Sequence, residues 1–310
     1  MSRAVVFAYH NVGVRCLLAL LARGVEVPLV VTHQDSPNED IWFGSVAQTA
    51  EAQGLNVITP EDVNAADVLA QVQDARPDFI FSFYYRQMMG APLLQVAPRG
   101  AFNMHGSLLP RYRGRVPVNW AIIHGETETG ATLHTMEIKP DAGAIVDQLA
   151  VPILPDDTAQ QVFDKVTVAA ETVLWRSLPA LLDGSAKPQP QDLAKGSYFG
   201  GRKPEDGRIG AGWNAQRVHD FVRALTHPYP GAFADLAQGR LRLWQTRRVG
   251  KVDNAPLEVQ LQCRGDQLLL ACPDGAALQV LSATLGDDPL TPDNFKVRLG
   301  ADAVALGALS

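Results

Sequence analysis

Continuous apolar runs and helical stripes alternate along the first third of the chain. Ala4-Val5-Val6-Phe7-Ala8 has no polar interruption, the pattern of a strand buried on both faces of a parallel sheet. Over residues 14–23, Leu17, Leu18 and Leu21 share one helical face, and Gly24 stops the helix. Residues 27–32 predict a second strand, 43–53 a second helix ended by Gly54, and 55–58 a third strand. A helix over 66–75 and a strand over 78–83 follow. This alternation predicts βαβ units and an α/β fold with a Rossmann-like, mostly parallel sheet.

The pattern changes further on. Residues 158–182 predict one long helix, closed by Asp183-Gly184-Ser185 and then by Pro188 and Pro190. Residues 191–212 are polar and glycine-rich, as a linker is. Beyond them come a helix over 214–224, carrying Val218, Phe221 and Val222, and strand-like runs at 241–244, 257–261, 267–271 and 277–281. The expected division is a catalytic domain over 1–190, a linker over 191–212, and a smaller β-rich, barrel-like (OB-like) domain over 213–310.

Charge and cysteine content narrow the function classes. The formal net charge is -6, against the basic surface that a nucleic-acid partner usually requires. No run approaches the roughly 20 apolar residues of a membrane span, and the start of the chain does not read as a signal peptide. Cys16, Cys263 and Cys272 are too widely spaced for a zinc motif or a disulfide framework, so a reducing cytoplasm is the expected compartment. The first strand-to-helix turn, Tyr9-His10-Asn11-Val12-Gly13, holds one glycine where a dinucleotide fingerprint needs three, so NAD is not expected there.

The densest chemistry lies in Ala101-Phe102-Asn103-Met104-His105-Gly106-Ser107. On a strand, Asn103 and His105 share a face, roughly 7 Å apart. An amide beside an imidazole at a strand end suits oxyanion stabilisation and proton transfer. Taken alone, the pair fits a hydrogen-bonded structural histidine equally well. Asp141, in Lys139-Pro140-Asp141-Ala142-Gly143, likewise reads more readily as a turn residue when taken alone.

The run Ser107-Leu108-Leu109-Pro110-Arg111-Tyr112-Arg113-Gly114, followed by Pro117 and Trp120, resembles the signature of the folate-dependent formyltransferases. The resemblance implies a catalytic trio of Asn103, His105 and Asp141, and N10-formyltetrahydrofolate as co-substrate with no metal. It implies a folate slot walled by Gln87, Met88 and Met89 on one side and by Glu137, Ile138, Lys139, Pro140 and Asp141 on the other, with Arg115 close by.

Further runs narrow the likeness. Phe7-Ala8-Tyr9-His10, Phe81-Ser82-Phe83-Tyr84-Tyr85-Arg86, Phe199-Gly200-Gly201-Arg202-Lys203-Pro204 and Pro228-Tyr229-Pro230-Gly231-Ala232-Phe233 are similar to the formyltransferase half of a bifunctional polymyxin-resistance enzyme. That half formylates UDP-4-amino-4-deoxy-L-arabinose for lipid A modification. The nucleotide sugar is then expected at Tyr9, Arg86, Ser107, Arg113, Arg202 and Arg223, with arginine suited to bidentate phosphate contact. The other enzyme's NAD-dependent decarboxylase half has no counterpart in these 310 residues, so that activity is expected on another protein. A methionyl-tRNA formyltransferase would use the same trio, but the charge and the 7 lysines beside 20 arginines count against a polyanionic partner. A formyltransferase for a dTDP-4-amino-4,6-dideoxyhexose stays open. A non-catalytic folate-binding protein would have no need of the whole trio.

Overall fold

Five successive buried residues make β1 (Arg3–Ala8) a strand that must be covered on both faces. It pairs in parallel with β2 (Glu26–Val31) on one side and β4 (Phe79–Phe83) on the other. The computed structural model describes residues 2–37 and 40–307. Between those strands run α1 (His10–Ala22), α2 (Val46–Ala52), β3 (Val57–Ile58) and α3 (Ala66–Asp74). After β4 come α4 (Ala91–Leu94), β5 (Ala101–His105), β6 (Arg113–Gly114), α5 (Pro117–Ile123), β7 (Glu128–Thr135), β8 (Ile145–Pro152), α6 (Ala159–Asp183) and β9 (Tyr198–Phe199).

The sheet order is β3-β2-β1-β4-β5-β7-β8. The five strands from β3 to β5 are parallel, and β7 and β8 add antiparallel to β5. The mostly parallel Rossmann-like sheet expected from the sequence is present. The strand order reverses between β1 and β4, where open α/β sheets bind ligands at their carboxyl ends. On one face, Val5, Phe7, Leu29, Val31, Ile80, Met89 and Leu93 form the core.

The chain divides into two compact units. The first holds residues 1–117, 128–152 and 163–200; the second holds 118–127, 153–162 and 201–310. The second unit is built on an antiparallel sheet ordered β10-β11-β14-β13-β12-β16. Its strands are β10 (Ala232–Leu236), β11 (Gly239–Lys251), β12 (Gln260–Arg264), β13 (Gln267–Ala271), β14 (Ala276–Leu285), β15 (Asp288–Pro289), which pairs with β14, and β16 (Ala303–Ala305). Register shifts between β11 and β14 curl the sheet, giving an open half-barrel with α7 (Ala215–Leu225) and α8 (Pro292–Leu299). Among the described residues, no helix is long and apolar enough to cross a membrane.

Several boundaries differ from the pattern-based expectation. The run expected as a strand over 257–261 starts later, at Gln260, and Leu257 is 99% exposed. The expected short strand at 241–244 is the start of the 13-residue β11, whose later positions carry Arg and Gln that hide the alternation. Part of the expected linker is paired: β9 lies parallel to β6.

Helix α1 starts four residues earlier than the expected residue 14, at His10, whose φ is 67°. Tertiary packing overrides the turn signal. The His10 ring stacks on Phe43 at 3.9 Å and meets Trp42 and Phe163 edge-on at 4.6 and 4.4 Å. The glycine of that turn has a packing role, because a Cβ on Gly13 would lie 2.9 Å from Val46 Cγ2. Burial, reinforced by the Arg86 guanidinium, pushes the His10 imidazole down to about 3.

A histidine depressed in the fold stays neutral where the unfolded chain takes up a proton. Stability is therefore lost as pH falls from about 6.5, the ordinary value, toward about 3. His10→Phe keeps the ring and removes the titration. The stability of this variant relative to the unaltered protein is expected to rise across that window, by at most about 1.4 kcal/mol per pH unit. Urea midpoints measured from pH 7 to pH 4 check this; parallel curves for the two proteins would refute it.

Candidate active site

Strand β5 ends the parallel part of the first unit's sheet, and its register decides which side chains meet. Asn103 and His105 are two residues apart and project to one face. On the antiparallel side, Asn103 lies directly opposite His134 of β7. Cross-strand partners of this kind have Cβ atoms about 5 Å apart. The geometry therefore brings a second imidazole to the pair.

Asp141 arrives from the loop between β7 and β8. Its own φ is 51°, an uncommon value for a residue other than glycine. The loop folds so tightly onto β7 that a Cβ on Gly143 would lie 1.8 Å from the Thr135 carbonyl oxygen. Only glycine permits that approach. From the expected linker, the Gln191 amide Nε2 donates to the Asp141 and Gly143 carbonyls at 3.0 and 2.6 Å and holds the loop.

The carboxylate of Asp141 has two distinct ends. Oδ2 accepts the Gly114 backbone N–H at 2.9 Å. Oδ1 lies 3.5 Å from His105 Nδ1, 3.5 Å from His134 Nε2 and 3.4 Å from Asn103 Nδ2. Both imidazoles are anchored on their far side, His105 through Nε2 to the Tyr112 carbonyl at 2.8 Å and His134 through Nδ1 to the Thr135 carbonyl at 2.8 Å. Burial pushes the Asp141 carboxyl up, but the His105 and His134 imidazoles and the Gly114 N–H outweigh it. The group is held well below the usual carboxylate range.

The loop over 107–116 is fixed from within its own unit. Ser107 Oγ donates to the Arg111 carbonyl at 2.7 Å, and Thr132 Oγ1 donates to the Ser107 carbonyl at 2.6 Å. Gln148 Nε2 donates to the Leu109 carbonyl, and Ser197 Oγ accepts the Tyr112 N–H. These bonds place the Tyr112 carbonyl and the Gly114 N–H, the two backbone groups that orient His105 and Asp141.

Asn103, His105 and Asp141 are thus brought together. For four residues expected to bind ligand, the structure gives the side chain another task. Gln87 is committed to the backbone of Val63 and Glu61. Met89, 5% exposed, belongs to the core. The Ser107 hydroxyl is fully buried on Arg111. Arg223 is buried within the second unit, paired to Asp220 at 2.7 Å and donating to the Asp157 carbonyl.

The other expected residues retain exposed or half-exposed surface, apart from Tyr9 and Arg113. Met88 and Ile138 are exposed apolar side chains, at 58% and 65%. Glu137, Lys139 and Arg115 are exposed, and Pro140 is half-buried. Tyr9 is buried, with its hydroxyl donating to Asp35 and Arg86 lying 4.6 Å over its ring. Arg113 is buried, and its Nε has no hydrogen-bond partner among the described residues. In the second unit, Arg202 is half-buried 4.8 Å over Trp120.

The sequence reading missed His134, Tyr112 and Gln191. His134 had a usable signal: an isolated imidazole two residues after Thr132 in a strand of small and apolar residues, seven residues before Asp141.

Residues 4–178 match a family model described as formyl transferase, and residues 202–298 match one described as formyl transferase, C-terminal domain. Among solved structures, the fold is similar to that of WlaRD, a sugar 3N-formyl transferase crystallised with dTDP and 5-N-formyl-THF. The TM-score is 0.70 at 18% identity, over 90% of this chain and 97% of that one. It is also similar to an N-formyltransferase from Helicobacter canadensis in complex with folinic acid and dTDP-3-aminofucose, with TM-score 0.69, 19% identity, and 90% and 99% of the two chains covered. HypX from Aquifex aeolicus shares the fold at TM-score 0.63 and 18% identity, over 96% of this chain and 47% of that one.

A carboxyl depressed in the fold stabilises it above the ordinary carboxylate value, and that contribution fades as pH falls through the folded value. Asp141→Asn is therefore expected to be less stable than the unaltered protein at pH 7, with the gap narrowing below about pH 4. Denaturant midpoints at pH 7, 5 and 3 test it, and a gap independent of pH would show that the ionised carboxylate contributes nothing to the fold.

Proposed function

This chain belongs to the formyl transferase family, and we propose that it moves a formyl group from a folate-type donor to the amino group of a nucleotide-linked sugar. The observation that carries the reading is the convergence of Asn103, His105 and Asp141 at the end of β5. The ligands in two similar structures, a formylated folate with dTDP or a dTDP-amino sugar, support the donor and acceptor classes. Exposed Met88 and Ile138, on the loops that follow β4 and β7, offer the apolar contact that a flat pteridine ring needs.

The donor supplies a formyl carbonyl that a neutral amine attacks. Asn103 Nδ2 donates an N–H to the oxygen as negative charge develops on it. With its Nε2 proton held on the Tyr112 carbonyl, His105 has Nδ1 as its working atom. That nitrogen takes the proton released by the amine and returns it to the leaving nitrogen of the donor. Asp141, kept ionised, stabilises the imidazolium in between. Asn103→Ala, His105→Ala and Asp141→Ala are each expected to fold and to lower turnover by about 10² or more. Steady-state assays on folded variants check this, and near-normal turnover in any one removes that residue from the trio.

The sugar is proposed as UDP-4-amino-4-deoxy-L-arabinose, on the likeness of Phe83-Tyr84-Tyr85-Arg86 and Pro228 to Phe233 to the enzyme acting on that substrate. Exposed Arg86 and Arg115 are the proposed phosphate contacts. Such remote contacts hold the amine in attacking geometry, so losing them lowers turnover as well as affinity. A dTDP-linked amino hexose is the competing acceptor, favoured by the ligands of the two similar structures. A pocket closed around a pentose rejects the exocyclic carbon of a hexose sterically. The kcat/KM for the UDP-pentose is expected to exceed that for dTDP-4-amino-4,6-dideoxyhexoses. The reverse order overturns the pentose assignment and leaves formyl transfer standing.

A further inference from the structure

His134 lies outside the trio, yet its ring is 2% exposed and touches two of the trio's three members. Its protonation can be deduced from its partners. Nδ1 is 2.8 Å from the Thr135 carbonyl oxygen, which only accepts, so Nδ1 carries a proton. A neutral imidazole has one N–H, so Nε2 presents a lone pair. That lone pair faces Asn103 Nδ2 at 3.1 Å. An amide nitrogen only donates, so the two groups are complementary in this arrangement alone.

Of the two groups beside His134 Nε2, the Asn103 amide at 3.1 Å is nearer than the Asp141 carboxylate at 3.5 Å. The groups facing His134 Nε2 are Asp141, from the loop after β7, and the uncharged Asn103 of β5. His105 approaches the same carboxylate oxygen from its own side of β5. An additional proton on His105 Nδ1 points at Asp141 Oδ1. On His134 Nε2 it would collide with the Asn103 N–H groups and force the amide to turn over. The two imidazoles therefore divide their work: His105 Nδ1 is aimed at Asp141, and His134 Nε2 at the Asn103 amide.

We propose that His134 is a positioning residue for formyl transfer: its Nε2 lone pair anchors one N–H of the Asn103 amide, so that the second N–H is the one offered to the developing oxyanion. That second N–H now lies against Asp141 Oδ1 at 3.4 Å, a long bond readily exchanged for a better acceptor. Without the anchor the amide can present its carbonyl oxygen to the site, an acceptor where a donor is required. The proposal rests on the formyl-transfer reading above.

The test pairs a spectroscopic readout with two variants. In the ligand-free protein labelled with ¹⁵N-histidine and held at neutral pH, His134 is expected as the Nδ1–H tautomer, with Nε2 unprotonated. His134→Gln keeps an acceptor near the position of Nε2, whereas His134→Leu keeps bulk and removes it. His134→Leu is expected to lose about 10² in kcat, the scale of a misplaced reacting group, with KM for donor and acceptor within about threefold. His134→Gln is expected to recover at least about tenfold of that loss. An Nε2–H tautomer or an imidazolium at neutral pH overturns the proposal whether or not the variants fold. So does His134→Leu with unaltered kcat, or His134→Gln as impaired as His134→Leu. Failure of the unaltered protein to transfer formyl groups to any amino sugar overturns the functional reading, and the proposal with it. The wrong tautomer in an active enzyme overturns the proposal alone.

Discussion

A single carboxylate oxygen, Oδ1 of Asp141, has to be satisfied without bulk water, and the surrounding architecture follows from that need. A carboxylate that is mostly buried stays charged only if protein groups replace its hydration. The Gly114 N–H serves Oδ2, the Asn103 N–H serves Oδ1, and the His105 and His134 rings close around Oδ1 at 3.5 Å. None of these can reorient freely, because each imidazole is tied at its far nitrogen to a backbone carbonyl. Those carbonyls are placed in turn by Ser107, Thr132, Ser197 and the Gly143 turn. Polar residues distant in sequence thus form one connected network, whose members gain from being satisfied together.

At the sheet's switch point the construction is different. Tyr9, His10, His33, Phe43 and Tyr85 form a ring-on-ring cluster at the ends of β1 and β4. Here α1 packs closely on α2 and β1, with Gly13 serving that contact. The same fold position that elsewhere cradles a pyrophosphate is filled by protein side chains, with Arg86 lying across them at the surface. The ligand-binding habit of an α/β sheet is set by these local residues and not by the strand order.

The parallel half of the sheet was legible because its strands are buried on both faces and read as continuous apolar runs; Val5, Val6 and Phe7 need no context. Strands β7 and β8 were not legible: β7 mixes Thr132 and His134 into its apolar positions, and β8 is only half-buried along most of its length. Asn103 and His105 were legible as neighbours through strand periodicity, and Asp141 through its glycine two residues on. The pairing of Asn103 with His134 was not, because it is set by antiparallel register, which residue spacing does not encode. The arginines were least legible. Asp220, one turn before Arg223 on α7, is the local feature that pairs and buries that arginine, whereas Arg86 lies at the surface.

The interleaving of the two compact units has a consequence for synthesis. Residues 118–127 and 153–162 belong with a unit whose remainder, 201–310, is translated later. Their apolar side chains include Val118, Ile122, Ile153 and Val162, all buried in the finished protein. Their later neighbours include Ala224, bonded to Asn119, and Arg223, bonded to the Asp157 carbonyl. At ordinary elongation rates these segments wait roughly ten seconds for that cover. A nascent chain stalled near residue 200 would hold a sheet with all seven of its strands, yet present two uncovered apolar segments to chaperones and to other copies of itself.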